Sequence, residues 1–106
     1  AIYGGCPNKN GTGKASTTVE GEFTSNGFNN PLSMTRSAIG MARGTDKNSG
    51  TCQFFILQND ATYLDGDFAV FGYIVDQIAA SVQVTGADGF IAEVNQPVIT
   101  SVKVFG

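Results

Sequence analysis

The feature that most constrains this chain is an apolar run in its middle, Gln53-Phe54-Phe55-Ile56-Leu57. Gly50 precedes the run and Gln58-Asn59-Asp60 follows it, so its length and its polar borders predict a buried β-strand. Adjacent side chains of a strand point to opposite faces of the sheet. Either Phe54 and Phe55 are both structural, or one packs in a core while the other lines a pocket for an apolar ligand.

Other short strands are predicted around this run. Asp65-Gly66 is a turn signal, and a further strand is predicted after it. Phe71 of that strand is predicted to pack together with Phe54 and Phe55. Residues 77–82 are predicted as a short helix, and the alternation of apolar and polar residues over 98–105 predicts a half-buried final strand. Strands outnumber helices, which favours an antiparallel barrel or sandwich.

Composition indicates a single folded domain and excludes several functions. Of the 106 residues, 42% are hydrophobic and 14% are charged, which is typical of a chain with a core rather than a disordered one. The net charge of −3 argues against a nucleic-acid partner, since such surfaces need a basic stripe. No apolar run reaches the length of a membrane span, so no membrane partner is expected.

Cys6 and Cys52 are the two cysteines of the chain. They have neither a Cys-x-x-Cys spacing nor a histidine partner, so no metal and no cofactor are expected. Two reduced thiols would indicate a cytoplasmic protein. The alternative is a secreted β-sandwich adhesin domain, which a bridge between Cys6 and Cys52 would favour.

Several motifs follow one another in a fixed order over residues 1 to about 75. They are Gly4-Gly5, Asn10-Gly11-Thr12-Gly13, Glu20-Gly21-Glu22-Phe23, Leu32 to Arg36, Gly40-Met41-Ala42-Arg43, Asn48 to Ile56, Tyr63-Leu64-Asp65-Gly66 and Val70-Phe71-Gly72. Each motif alone is a weak signal, but their order and spacing resemble the cyclophilins, the peptidyl-prolyl cis-trans isomerases. The resemblance implies a mainly β fold, a closed eight-stranded antiparallel β-barrel with few short helices, to which residues 1–106 contribute as one partial domain.

The resemblance also implies the reaction, rotation about X-Pro peptide bonds in protein folding. The barrier to this rotation is about 18–20 kcal/mol, and no bond is broken, so neither a nucleophile nor a cofactor is required. An apolar pocket would hold the proline ring, and a donor to the prolyl nitrogen would stabilise the twisted amide. The implied partners are proline-containing peptides or unfolded proteins, and cyclosporin-like cyclic peptides are the implied inhibitors.

Five of the implied substrate-binding residues match the family's motifs directly. Phe55 would form the floor of the proline pocket and Leu64 a second wall. Ala42 and the backbone of Arg43 would pair with the extended substrate, and Gln53 would hydrogen-bond to it. The neighbouring Phe54, on the opposite strand face, would then belong to the core.

Four further implied residues lie where the family varies or where this chain departs from it. Thr12 corresponds to a glycine-loop residue near the secondary pocket. Tyr63 occupies a position that holds tryptophan or tyrosine in the family. Tyr3 replaces the family's glutamine before Gly-Gly, and Phe68 replaces its pocket histidine.

The family's catalytic arginine lies in a Phe-His-Arg segment that precedes the Gly-Gly motif, and this chain contains no such segment. Arg36 and Arg43 match other family positions, so the catalytic residue is unknown. Two interpretations stay open: the sequence is a piece of a longer protein, or it is a shortened relative that pairs with another copy or segment. A proline-peptide-binding module without turnover is the alternative function.

Overall fold

The structure, a computed structural model, describes residues 1–74 and 98–103. This part of the chain is mainly β, with the four strands β1 (Ile2–Gly4), β2 (Ala38–Met41), β3 (Phe54–Ile56) and β4 (Val70–Tyr73). Its helical elements are two 3-10 turns, Thr24–Asn26 and Thr62–Leu64. Neither turn is long or apolar enough to cross a membrane.

The four strands form one antiparallel sheet in the order β1-β3-β2-β4. The predicted apolar strand, β3, pairs on both sides: Phe55 lies opposite Tyr3 of β1 and opposite Gly40 of β2. Residues directly opposite each other share a face of the sheet. Tyr3, Phe55 and Gly40 are therefore on one face, and Phe54 is on the other, as the alternation of the strand requires.

The face that carries Phe55 is packed against the loops between the strands. Its buried cluster consists of Met34, Ala38, Phe55, Leu57, Ala61 and Val70. Gly40 makes this packing possible, because a Cβ atom there would lie 2.4 Å from Cζ of Phe55. The ring of Phe55 therefore lies directly across the backbone of β2, and we conclude that Phe55 is part of the core.

The prediction of a closed barrel does not hold for the sheet that the structure describes. Within residues 1–74 and 98–103, the sheet has four strands and its order runs from the edge strand β1 to the edge strand β4 without closure. Small barrels close with about eight strands, tilted and staggered relative to the barrel axis. The prediction of antiparallel β structure is confirmed.

Two smaller predictions are wrong. Phe71 is 59% exposed, whereas its neighbour Val70 is 3% exposed, because alternation along β4 turns Val70 and not Phe71 toward the buried cluster. Residues 98–103 are exposed and form no strand. An alternating pattern becomes a strand only where a neighbouring strand pairs with it. The predicted helix over 77–82 lies outside the described residues.

Candidate functional site

An open cleft with a volume of about 280 Å³ lies beside the side chains of Phe55 and Tyr3. Its polar rim is formed by Ala1, Gln58, Asn59 and Asp60, and the rest of its lining is Tyr3, Phe55, Leu57, Ala61, Tyr63, Leu64 and Phe68. Sites for small ligands have volumes of about 300–1,000 Å³ and are mostly apolar with a few polar groups. The cleft therefore suits one compact apolar group with a polar attachment.

Three aromatic rings fix the shape of the cleft. The ring centroid of Phe55 lies 5.9 Å from that of Tyr3 at an interplanar angle of 49°, and 5.8 Å from that of Phe68 at 86°. The edge-to-face arrangement of Phe55 and Phe68 is one that aromatic quadrupoles favour at such a distance. Phe55 is only 4% exposed, and its ring contacts both of the others.

The turn after β3 holds a second wall of the cleft. Asp65 anchors this turn: its Oδ1 accepts the backbone N–H of Met34 at 2.6 Å, and its Oδ2 accepts the hydroxyl of Ser33 at 2.8 Å. Hydrogen bonds to a carboxylate are among the stronger ones in proteins. Leu64, the preceding residue, packs against the buried cluster, and Tyr63 stands 83% exposed at the rim.

The side chain of Arg43 contacts the cleft wall through the ring of Phe68. Its guanidinium carbon lies 4.7 Å from the ring centroid of Phe68 and 5.0 Å from that of Phe23. Nε and Nη2 both donate to the carbonyl oxygen of Asp67, at 3.1 and 2.8 Å, and Nη1 donates to that of Gly44 at 2.9 Å. A guanidinium suits this place because its flat faces can stack on aromatic rings while its N–H groups donate hydrogen bonds in the plane of the guanidinium itself.

Sequence reasoning assigned only the backbone of Arg43 to the site and missed this role. The signal that could have indicated it is the pair of aromatic residues Phe23 and Phe68, the second of which replaces the family's histidine. Two rings near one arginine are a common cation–π arrangement. Their proximity depends on the fold, however, because Phe23 and Phe68 are far apart in the sequence.

Three of the predicted site residues are engaged elsewhere and do not line the cleft. Nε2 of Gln53 donates to the carbonyl oxygens of Gly11 and Gly13, at 3.1 and 2.6 Å. The backbone N–H of Ala42 donates to the carbonyl oxygen of Gln53 at 3.0 Å. The hydroxyl of Thr12 donates to Oδ1 of Asn10 at 2.7 Å. A peptide would have to compete with these bonds to gain the predicted contacts.

The structure thus brings together five of the nine predicted residues, Tyr3, Phe55, Tyr63, Leu64 and Phe68. Arg43 reaches the cleft only through Phe68. Ala42 packs against the buried cluster, and Gln53 ties the glycine-rich loop of residues 6–13 to β3, with Thr12 in that loop. The binding roles of all nine residues stay predictions.

Substitution of Gln53 by glutamate is expected to loosen the glycine-rich loop. The change replaces an N–H donor with a carboxylate oxygen that faces two carbonyl oxygens, and an unsatisfied polar group of this kind costs about 1–3 kcal/mol. Amide hydrogen exchange at Gly11 and Gly13 should become faster. Gln58→Glu is the matched control, since it adds the same charge at the exposed rim of the cleft. Equal exchange rates in the two variants would contradict the assigned role of Gln53.

Comparison with known proteins agrees with the order of the motifs. Residues 1–104 match the family model described as cyclophilin type peptidyl-prolyl cis-trans isomerase/CLD, so the resemblance extends beyond residue 75. A peptidyl-prolyl cis-trans isomerase of Helicobacter pylori strain J99 is 35% identical over 79 residues, which are 74% of this chain and 46% of that protein. A probable peptidyl-prolyl cis-trans isomerase of Brucella abortus strain 2308 is 40% identical over 45 residues, 42% of this chain and 23% of that protein.

The chain spans less than half the length of these curated relatives. The family match nevertheless covers almost every residue of the chain, and it includes the strands and the turn that form the cleft. The chain belongs to the cyclophilin-type peptidyl-prolyl cis-trans isomerase family.

Proposed function

We propose that the protein uses this cleft to hold the proline ring of X-Pro segments and catalyses rotation about the peptide bond that precedes the proline. The observation that carries the proposal is the buried ring of Phe55 at the floor of an apolar cleft, fixed by Tyr3 and Phe68. A pyrrolidine ring is compact, rigid and apolar, and it carries no backbone N–H that would need a partner. Flexible peptides or unfolded proteins that expose such segments are the proposed substrates.

The proposed mechanism requires binding of the proline ring and electrostatic stabilisation of the twisted amide, and no covalent bond is made or broken. With the proline ring held against Phe55, the acyl group before the proline is the part that turns. In the twisted state the amide loses its resonance, and electron density returns to the prolyl nitrogen. Any interaction that is stronger in this state than in the planar ones lowers the barrier of about 18–20 kcal/mol. A hydrogen-bond donor directed at the prolyl nitrogen has this property.

We place this donor outside the described residues. Among those residues, neither Arg36 nor Arg43 lines the cleft, and the guanidinium of Arg43 donates to Asp67 and Gly44. The chain spans less than half the length of its curated relatives, and further strands would close the open sheet into the barrel that the family implies. We therefore propose that both the donor and the strands that close the sheet lie outside the described residues.

A proline-peptide-binding module without turnover is the second candidate. The observation that favours it is again the position of Arg43, which leaves the lining of the cleft, as far as the structure describes it, without an arginine. Such a protein would hold the proline ring on Phe55 and leave the rate of rotation unchanged. The two candidates differ only in whether the transition state is bound more tightly than the ground states.

The test is two-dimensional exchange NMR on an Ala-Pro peptide with catalytic amounts of the purified protein. Uncatalysed isomerisation takes tens of seconds or more, so a catalysed exchange rate is easily distinguished from the uncatalysed rate. Exchange between the cis and trans signals supports the isomerase. Peptide signals that shift on addition of an equimolar amount of protein, without any exchange, support the module. Absence of both effects contradicts both candidates. Phe71→Ala is the control, since it removes an exposed aromatic ring away from the cleft.

A further inference from the structure

Cys6 and Cys52 both lie just beyond the paired ends of β1 and β3. The strands pair through Ile2↔Ile56, Tyr3↔Phe55 and Gly4↔Phe54. Two residues beyond the last pair, a continued register would align Cys6 with Cys52, although Gly5 with its φ of +82° leaves the extended conformation just before Cys6. Directly opposed residues of antiparallel strands have Cα atoms about 4.5–5.5 Å apart. A disulfide spans Cα separations of about 4.4–6.8 Å, so this alignment is compatible with a bridge.

The two backbones stay in contact beyond the end of the paired strands. Gly5 has a φ of +82°, and a Cβ atom on it would lie 2.1 Å from the carbonyl oxygen of Cys52. Only a glycine permits both this φ and this approach. The residue directly before Cys6 therefore rests on the backbone of Cys52. Both cysteines are free and partly buried.

The sulfur of Cys6 lies among backbone N–H groups of the glycine-rich loop. Its Sγ accepts the N–H of Gly11 and the N–H of Gly13, each at 3.2 Å. Desolvation raises the pKa of this thiol, but the N–H groups of Gly13, Asn10, Asn8 and Gly11 together outweigh it and lower the pKa from 9.0 to about 7. Donors of this kind stabilise the thiolate, which is the reactive form of cysteine.

We propose that Cys6 and Cys52 form a reversible oxidation site that responds to hydroperoxides. In the first step the Cys6 thiolate attacks a peroxide oxygen, the O–O bond breaks, and Cys6 becomes a sulfenic acid as hydroxide leaves. In the second step the sulfur of Cys52 attacks that of Cys6, the S–S bond forms and the S–O bond breaks, and the proton of Cys52 leaves with the hydroxide as water. The two thiols supply the two electrons that reduce the peroxide.

Oxidation at this pair would change the glycine-rich loop that the side chain of Gln53 holds. To reach Cys52, the sulfur of Cys6 has to turn away from the N–H groups of Gly11 and Gly13. The carbonyl groups of the same two glycines accept from Nε2 of Gln53, so this side chain would still hold the loop while the contacts to the sulfur are lost. Amide exchange at Gly11 and Gly13 should therefore be faster in the oxidised protein and recover on reduction.

The test treats the purified protein with hydrogen peroxide and follows intact mass and free thiols. The expected result is loss of two hydrogen atoms and of both thiols in a monomeric product, fully restored by dithiothreitol. A Cys6 that gains two oxygen atoms as sulfinic acid, a bridge between two molecules, or two thiols that survive unchanged would each overturn the proposal.

Cys52→Ser is the matched variant, because it keeps the reactive sulfur and removes its partner. Its Cys6 should stop at the sulfenic acid, which dimedone traps, and its alkylation rate should rise about tenfold between about pH 6 and about pH 8, as the thiolate of a group with pKa about 7 forms. A bridge-like loss of two hydrogen atoms in this variant would contradict the pairing. These readouts follow sulfur chemistry alone, so they do not depend on the proposed isomerase activity.

Discussion

Replacement of Phe55 by alanine is expected to remove proline-peptide binding and to lower the free energy of unfolding by about 3–5 kcal/mol, the usual cost of deleting a buried aromatic side chain. Phe55 is 4% exposed and is a member of the buried cluster, so the truncation opens a cavity in the core. The same truncation removes the floor of the cleft and both ring contacts, to Tyr3 and Phe68. Urea unfolding and titration with a proline peptide measure the two effects.

Two further variants separate the loss of the site from the loss of the fold. Phe55→Leu keeps an apolar side chain in the core, so the protein should remain folded while the flat floor of the cleft is lost and peptide affinity falls several-fold. Phe54→Ala truncates the neighbouring ring on the opposite face of β3, so it should cost stability and leave affinity unchanged. Wild-type affinity in Phe55→Leu, or an equal loss in Phe54→Ala at the same folded fraction, would contradict the assignment of Phe55.

The contrast between Phe54 and Phe55 could be predicted because it is local. A strand has a period of two, so an apolar run with polar borders determines that its neighbouring side chains face apart. The motif order predicted Phe55 at the cleft and Phe54 in the core, whereas the structure places Phe55 in the buried cluster and leaves Phe54 partly buried outside it. The turn at Asp65-Gly66 was predictable for the same local reason: Gly66 has a φ of +83°, which glycine adopts without strain.

The features that could not be predicted depend on which strands meet. Phe71 fits a packing role by composition, yet the pairing of β4 with β2 turns Val70 inward instead. Residues 98–103 alternate like a strand, but alternation without a paired neighbour does not make one. Closure of the sheet likewise depends on strands that no local pattern in residues 1–74 reveals.

The positions of Arg43 and Gln53 show the same limit within the site. The motifs predict both residues near a substrate, and in the structure Arg43 follows the end of β2 and Gln53 precedes the start of β3. Their side chains, however, bind the chain itself: Gln53 holds the glycine-rich loop, and Arg43 lies between Phe23 and Phe68. A motif conveys which residue occupies a position, whereas the direction of its side chain follows from neighbours that are distant in the sequence.

Truncation of Arg43 to alanine is expected to destabilise the wall of the cleft and to cost about 2–3 kcal/mol of stability, in the upper part of the range for single substitutions. The variant loses four hydrogen bonds from a charged group, two to Asp67 and one each to Gly44 and Thr45, and it leaves the rings of Phe23 and Phe68 without the cation between them. The ring of Phe68 keeps its edge-to-face contact with Phe55 but loses its contact with the guanidinium. We expect peptide affinity to fall several-fold because the wall is no longer preorganised.

Arg43→Lys and Arg36→Ala make this expectation specific. Lysine keeps the charge but lacks the planar fork that donates twice to Asp67, so it should restore only part of the stability and of the affinity. Arg36 is exposed and lies outside the cleft lining, so its truncation makes the same change in net charge without touching the rings. The nuclear Overhauser contacts between the rings of Phe68 and Phe55 are the decisive readout. A purely electrostatic role of Arg43 would preserve these contacts and would make the two alanine variants equivalent, whereas a role in holding the wall weakens them in Arg43→Ala alone.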